Sequence, residues 1–243
     1  MPNAHSKLEM VLNYEFEDPK LLERALTHRS WANEKLKNGD ADESRHLQNE
    51  RLEFVGDSVL GLAVAEELYK KNPDLREGDL TLMKHHLVSS ETLAKFARIM
   101  DLGGYMRIGR GEEKTGGREK QAILADTLEA VIGAIFFDTG YHSARRFIIE
   151  LLSSEFEKVT PKSSLDYKTL LQETLQGQKR EAPKYEVVKT SGPPHNRKFT
   201  VKACWDNGTA TGSGNTIKGA EMEAASIALD QIEGEVKKLR EVI

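Results

Sequence analysis

The stretch Asn49-Glu50-Arg51-Leu52-Glu53-Phe54-Val55-Gly56-Asp57-Ser58-Val59-Leu60 sets three carboxylates into an otherwise apolar helical run. At about 100° per residue, positions 50, 53 and 57 fall within roughly 60° of one another, so the acids share one helix face. A second run, Ile123-Leu124-Ala125-Asp126-Thr127-Leu128-Glu129-Ala130-Val131-Ile132-Gly133, places Asp126 and Glu129 at i, i+3 among apolar neighbours. Like charges about 4 Å apart repel by roughly 4 kcal/mol at an effective dielectric near 20, so such clusters do not persist for stability alone. A carboxylate pair at this spacing is ordinarily a solvated helix face. Here Leu52, Val55, Val59, Leu62 and Val64, and Leu124, Leu128, Val131 and Ile132, mark both helices as core elements. Unpaired acids are costly there, and the functional reading prevails. Carboxylates with no histidine or cysteine beside them select a hard, oxygen-seeking ion. Mg²⁺ is the usual one that leaves coordination positions open for phosphate oxygens and water.

Outward from these runs, apolar periodicity predicts successive helices at about 6–13, 19–28, 48–71, 79–100, 117–138 and 141–157, with Asp79 as an N-cap and Pro73 ending the third. Residues 1–158 therefore read as an all-α domain. A linker follows at 159–164, carrying Pro161 and two serines. Beyond it the period changes. A helix over Leu165–Gln178 precedes alternating strands at Lys184–Thr190 and Lys198–Trp205, a glycine-rich strand at Thr209–Thr216 and a closing helix from Lys218 to about Arg240. Residues 165–238 thus form a small α+β domain of order α-β-β-β-α.

With 38% hydrophobic and 30% charged residues over 243 positions, the chain reads as a soluble globular protein of one or two domains. The longest apolar run, Ala130 to Phe137, is too short to span a bilayer, and Met1 to Val11 lacks the basic patch and apolar core of a signal peptide. The single cysteine, Cys204, excludes an internal disulfide and a cysteine zinc site. A cytoplasmic protein without membrane attachment is the expectation. Net charge identifies no partner, at −6 for residues 1–158 and +2 for 159–243. Its distribution is more informative: between Lys179 and Lys202 seven basic residues face two acids, enough for a phosphate-binding patch.

Asn49–Leu60 and Ile123–Gly133 resemble the two signature segments of the ribonuclease III catalytic domain. Ala25-Leu26-Thr27-His28-Arg29-Ser30 and Gly109–Gly117 match further family segments, and the C-terminal third resembles a double-stranded RNA-binding domain, so the likeness covers roughly residues 7 to 238. The resemblance implies a homodimeric, Mg²⁺-dependent endoribonuclease, with Mn²⁺ as a substitute ion. It would cut double-stranded RNA to 5′-phosphate and 3′-hydroxyl ends with a short 3′ overhang, and would process ribosomal RNA precursors and some messenger and transfer RNAs. By the same resemblance Glu53, Asp57, Asp126 and Glu129 are the metal-binding and catalytic acids. Asp57 and Glu129 are the most critical, and Glu50 is a supporting acid. One metal ion or two would suit this set.

Two readings stay open at several positions. Phe54 is either ordinary core packing or, as in the family, an anchor that enters a pocket of the partner subunit. Glu77 is an exposed loop residue or a further acid near the site. Gly109–Gly117 is a flexible surface loop or a loop near bound RNA; it does not fit a nucleotide-binding P-loop. His28, His85 and His86 read as structural hydrogen-bonders.

In the small domain, Thr169, Gln172, Glu173 and Gln176 share a helix face that matches the family's first RNA-contact region. His195 matches the loop that reaches a neighbouring groove, and Lys218 opens the last helix where free N–H groups favour phosphate. Where the family carries two adjacent lysines this chain has Ile217-Lys218, and Ala122 stands where serine is frequent. The reading from another class is a non-catalytic duplex-RNA-binding protein that kept the fold; the intact acids argue against it.

Overall fold

The computed structural model describes residues 4–35, 46–161, 164, 166–193 and 197–241, with side chains described between 6 and 232. They fall into two units, Met1–Ser164 and Leu165–Ile243, each built around its own apolar core.

The first unit is helical: α1 (Ala4–Leu12), α2 (Pro19–Ala25), α3 (Arg29–Lys35), α4 (Glu50–Lys71), α5 (Glu77–Leu87), α6 (Ser90–Ile99), α7 (Leu102–Tyr105), α8 (Arg110–Lys114), α9 (Gln121–Thr139), α10 (Tyr141–Leu151) and α11 (Ser153–Phe156). Its centre is α9, where Leu124, Leu128, Val131, Ile132 and Ile135 are almost wholly buried. A helix apolar on nearly every side belongs in the middle of a bundle, and α2, α4, α6 and α10 pack around it.

The tightest contact is with α4. A Cβ on Gly56 would lie 1.8 Å from the carbonyl oxygen of Glu129, and one on Gly133 would lie 2.1 Å from that of Leu52. The two backbones therefore touch where each helix lacks a side chain. This crossing brings the two acidic runs, about 70 residues apart in sequence, onto one another.

Helix ends depart from the periodicity in explicable ways. The helix expected over 79–100 is two, α5 and α6, because Ser89 adopts extended backbone and its Oγ accepts the N–H of Thr92 at 3.2 Å as an N-cap. Asp79 is no N-cap; α5 begins at Glu77, and both acids sit in its first turn, where they favour the helix dipole. The expected 117–138 helix starts at Gln121 after a 3₁₀ turn, Gly117–Glu119, and the 141–157 helix breaks at Leu152. Short α3, α7 and α8 are too brief to show a period. Leu62, expected on the core face of α4, is 58% exposed.

In the second unit α12 (Tyr167–Gly177) is capped by Asp166, whose carboxylate accepts the N–H groups of Lys168 and Thr169 at 3.1 and 3.2 Å. An antiparallel sheet follows in the order β1 (Lys184–Ser191), β2 (Lys198–Trp205) and β3 (Gly208–Gly214), and α13 (Ile217–Glu241) closes the unit. Val201, Ala203 and Trp205 alternate inward along β2, as the period-2 pattern requires. The glycines of β3 let α13 lie directly on the strand: a Cβ at Gly212 would come within 2.2 Å of the Ala224 nitrogen. Leu171, Leu175, Ala225, Ala228 and Leu229 complete this core.

Candidate active site

The α4–α9 crossing gathers carboxylates because each helix turns its acids to the side where the glycines let the backbones meet. Glu53, Asp126 and Glu129 each offer a carboxylate oxygen, all within 4.8 Å of one another. All three are half-buried, whereas Asp57, one turn beyond Glu53, is exposed at the rim. Glu50 stands outside the trio. Its carboxylate accepts from Arg29 Nη1 at 3.3 Å and from Gln48 Nε2 at 3.0 Å.

The electrostatics show how much this arrangement costs when metal-free. Burial, reinforced by Asp57, Asp126 and Glu53, pushes the Glu129 carboxyl up to about 8. Burial, reinforced by Asp126 and Glu50, pushes Glu53 up to about 7. Asp126 is likewise raised, chiefly by burial. Acids held so far above their ordinary range would be balanced by a bound cation. The donor set is oxygen only, which fits Mg²⁺ and similar hard ions.

Beside the trio lies a cavity of about 470 Å³ lined by His28, Glu50, Glu53, Glu112, Lys120 and Asp126. Periodicity gave no sign of Glu112 or Lys120 here, since they come from the 109–120 segment rather than from the acidic helices. That segment is not a floppy loop. It forms α8 and a 3₁₀ turn, with Lys120 Nζ paired to Glu112 at 2.6 Å, while Arg118 holds Glu113 at 2.9 Å and the carbonyl oxygens of Gly103 and Met106 at 2.7 and 2.8 Å. Glu77 is helical rather than in a loop, accepts from Thr81 Oγ1 at 3.0 Å and lies outside the trio.

Phe54 is 75% exposed, which rules out core packing within one chain. With Leu21, Arg24, Val55 and the exposed Phe137 it lines a second cavity, of about 950 Å³. Asp138 braces the wall by accepting from Tyr14 Oη at 2.7 Å and from the N–H groups of Glu17 and Asp18 at 3.0 and 2.9 Å.

In the second unit Thr169, Gln172, Glu173 and Gln176 form an exposed face of α12, opposite the buried Leu171 and Leu175. Lys218 is the second residue of α13, which opens at the 44% exposed Ile217. His195 lies outside the described residues. Of the basic cluster, Arg180 is committed to structure: its Nε donates to Asp206 at 2.8 Å and ties the end of α12 to the β2–β3 turn.

Among the described residues no helix is long and apolar enough to cross a membrane. The Ribonuclease-III-like family matches residues 18–155, and the double-stranded RNA binding motif matches 167–232. Ribonuclease 3 of Treponema denticola is 46% identical over 220 residues, spanning 89% of this chain and 86% of that protein. Ribonuclease 3 of Dehalococcoides mccartyi is 44% identical over 230 residues and 94% of both chains. The crystal structure of the nuclease domain of ribonuclease III from Campylobacter jejuni, 40% identical, covers 65% of this chain and 99% of its own with a TM-score of 0.56. These matches set aside the non-catalytic alternative: the chain belongs to the ribonuclease III family and is a double-strand-specific endoribonuclease.

Proposed function

We infer that the chain is a Mg²⁺-dependent homodimer that cuts both strands of duplex RNA, leaving 5′-phosphate and 3′-hydroxyl ends with a short 3′ overhang. Its substrates would be ribosomal RNA precursors and some messenger and transfer RNA precursors, met in the cytoplasm. The observation that carries this reading is the three carboxylate oxygens within 4.8 Å of one another at the α4–α9 crossing. A gel assay on end-labelled duplex RNA tests it. Cleavage should require Mg²⁺, accept Mn²⁺ and spare single strands; cutting that persists in a metal chelator would overturn it.

In this reading Glu53, Asp126 and Glu129 hold the ion, and Glu50 keeps its orientation through Arg29 and Gln48. An ion such as Mg²⁺ held by these acids would supply an activated water and neutralise the charge developing on the phosphodiester. Asp57, exposed one turn beyond Glu53, would take the proton of the attacking water at an Oδ. The exposed face Thr169, Gln172, Glu173 and Gln176, with His195 and Lys218, supplies duplex affinity through the shallow groove and phosphates. The division of labour follows domains at 1–158 and 165–238 joined by the 159–164 linker.

The raised acids give a pH dependence with a definite sign. Above the ordinary carboxyl value of 4.5 the folded chain holds protons on Glu53 and Glu129 that the unfolded chain has released. Metal-free stability from these groups is therefore full below about pH 4.5 and lost as pH rises through about 7 to 8. Mg²⁺ displaces those protons, so its stabilisation grows across the same window. At a hundredfold excess over Kd it should raise the melting temperature by about 5–10 °C at pH 8. The rise should be smaller at pH 6; paired thermal melts with and without Mg²⁺ check this, and equal rises at both values would contradict it.

Dimerisation rests on the exposed Phe54 beside an apolar cavity. A Campylobacter jejuni nuclease domain 40% identical to this chain has a structurally flexible region involved in dimer formation, and two centres related by a two-fold axis can cut both strands. Phe54→Ala should weaken the dimer by about thirtyfold or more, the scale of an interface anchor. The monomer's melting temperature should hardly move, because the ring is exposed. Sedimentation at several concentrations reads the constant, and an unchanged value would remove Phe54 from the interface.

A further inference from the structure

His28 is more than a brace for its own loop. Its Nδ1 lies 2.8 Å from Ser30 Oγ and 3.3 Å from the backbone nitrogen of Ser30. A backbone N–H can only donate, so Nδ1 is an acceptor and the proton of the neutral ring sits on Nε2. The N–H of Gly109 donates to Ser30 Oγ at 2.8 Å, leaving that hydroxyl's own proton for Nδ1. The tautomer is thus set by a chain of bonds reaching from the loop before α8. Burial holds the ring's pKa below its ordinary value, which keeps it neutral at physiological pH.

The ring lines the same cavity as Glu53 and Asp126. The cavity's two cations already face carboxylates, Arg29 toward Glu50 at 3.3 Å and Lys120 toward Glu112 at 2.6 Å. An RNA strand whose phosphodiester reached the carboxylate trio would approach along this wall, where the Nε2–H has no hydrogen-bond partner among the described residues and brings no positive charge to compete for the acids. We propose that the Nε2–H of His28 donates a hydrogen bond to a phosphate oxygen of the RNA strand being cut, fixing its position over Glu53, Asp126 and Glu129. This rests on the endonuclease reading above.

The two ring nitrogens are separable by substitution. In His28→Asn the amide oxygen takes the place of Nδ1 and keeps the bond to the Ser30 N–H, but nothing occupies Nε2. In His28→Gln the amide nitrogen reaches the Nε2 position. With the full-length chain, labelled duplex RNA and saturating Mg²⁺, the Asn variant should melt like the wild type yet lose about tenfold to hundredfold in kcat/KM, the scale of a hydrogen bond to a charged group. The Gln variant should recover part of that loss. An Asn variant that cuts like the wild type, or a Gln variant no better than Asn, would overturn the contact and return His28 to a structural role. A loss accompanied by a higher Mg²⁺ requirement would also overturn it, since His28 would then act on Asp126 rather than on RNA. A wild type inert on duplex RNA would instead bring down the activity reading and this contact with it.

Discussion

Glu129→Gln is expected to abolish strand cleavage, leave duplex binding intact and raise the melting temperature of the metal-free chain. The substitution keeps the shape of the side chain and removes one charge from a crowded trio. Loss of one ligand charge should lower the single-turnover rate by about 10³-fold or more, equivalent to roughly 4 kcal/mol of transition-state stabilisation. Duplex affinity survives because the double-stranded RNA binding motif occupies residues 167–232 and has its own core. The gain in stability follows from the raised carboxyl of Glu129, which at neutral pH resists ionisation because it is buried and stands beside Asp57, Asp126 and Glu53. A residue that destabilises the fold where it serves the chemistry is the expected signature of a functional site. Cleavage near the wild-type rate would refute the assignment. A lowered melting temperature with cleavage lost would show that Glu129 supports the helix packing instead.

Gly56→Ala is expected to damage the fold and the site together. The added methyl would sit 1.8 Å from the Glu129 carbonyl oxygen, and that oxygen belongs to the backbone of a central helix and cannot step aside. The helices must separate by more than an ångström. The cost should reach the top of the overpacking range, about 3 kcal/mol, and the carboxylates of α4 and α9 would move apart with their backbones. Gly61→Ala is the control on the same helix. Its methyl would meet only the mobile end of Lys84, at 3.5 Å. Alanine's better helix propensity should then stabilise by up to about 1 kcal/mol. Denaturant midpoints and cleavage rates of both variants provide the test. Similar behaviour of the two would mean that close approach at Gly56 is not what builds the site.

The elements with many turns were legible from the pattern alone. Helices α4 and α9 carry apolar residues over 22 and 19 positions, too long a run for a strand, and β2 alternates because one of its faces is buried. Breaks were less visible. Ser89 joins the end of one helix to the start of another through its hydroxyl, which bonds the His86 carbonyl oxygen and accepts the Thr92 N–H, and this leaves the apolar pattern uninterrupted. Helices α3, α7 and α8, with seven, four and five residues, are shorter than the window in which a period can be recognised.

The acidic residues were equally visible, but their grouping was not. Local spacing puts Glu50, Glu53 and Asp57 on one face of α4 and Asp126 with Glu129 on α9. It could not say that Glu53 would join the α9 pair while Glu50 turned to Arg29 and Gln48. Nor could it place His28, Glu112 and Lys120 on the wall of the neighbouring cavity, because they arrive from separate segments. The sequence by itself determined the two-part architecture, the helical and alternating periods and the chemistry of the ligand set, since each depends on residues within a few positions of one another. Only the tertiary structure decided which carboxylates meet. That outcome depends on two glycines, Gly56 and Gly133, whose missing side chains let helices distant in sequence approach until their backbones touch.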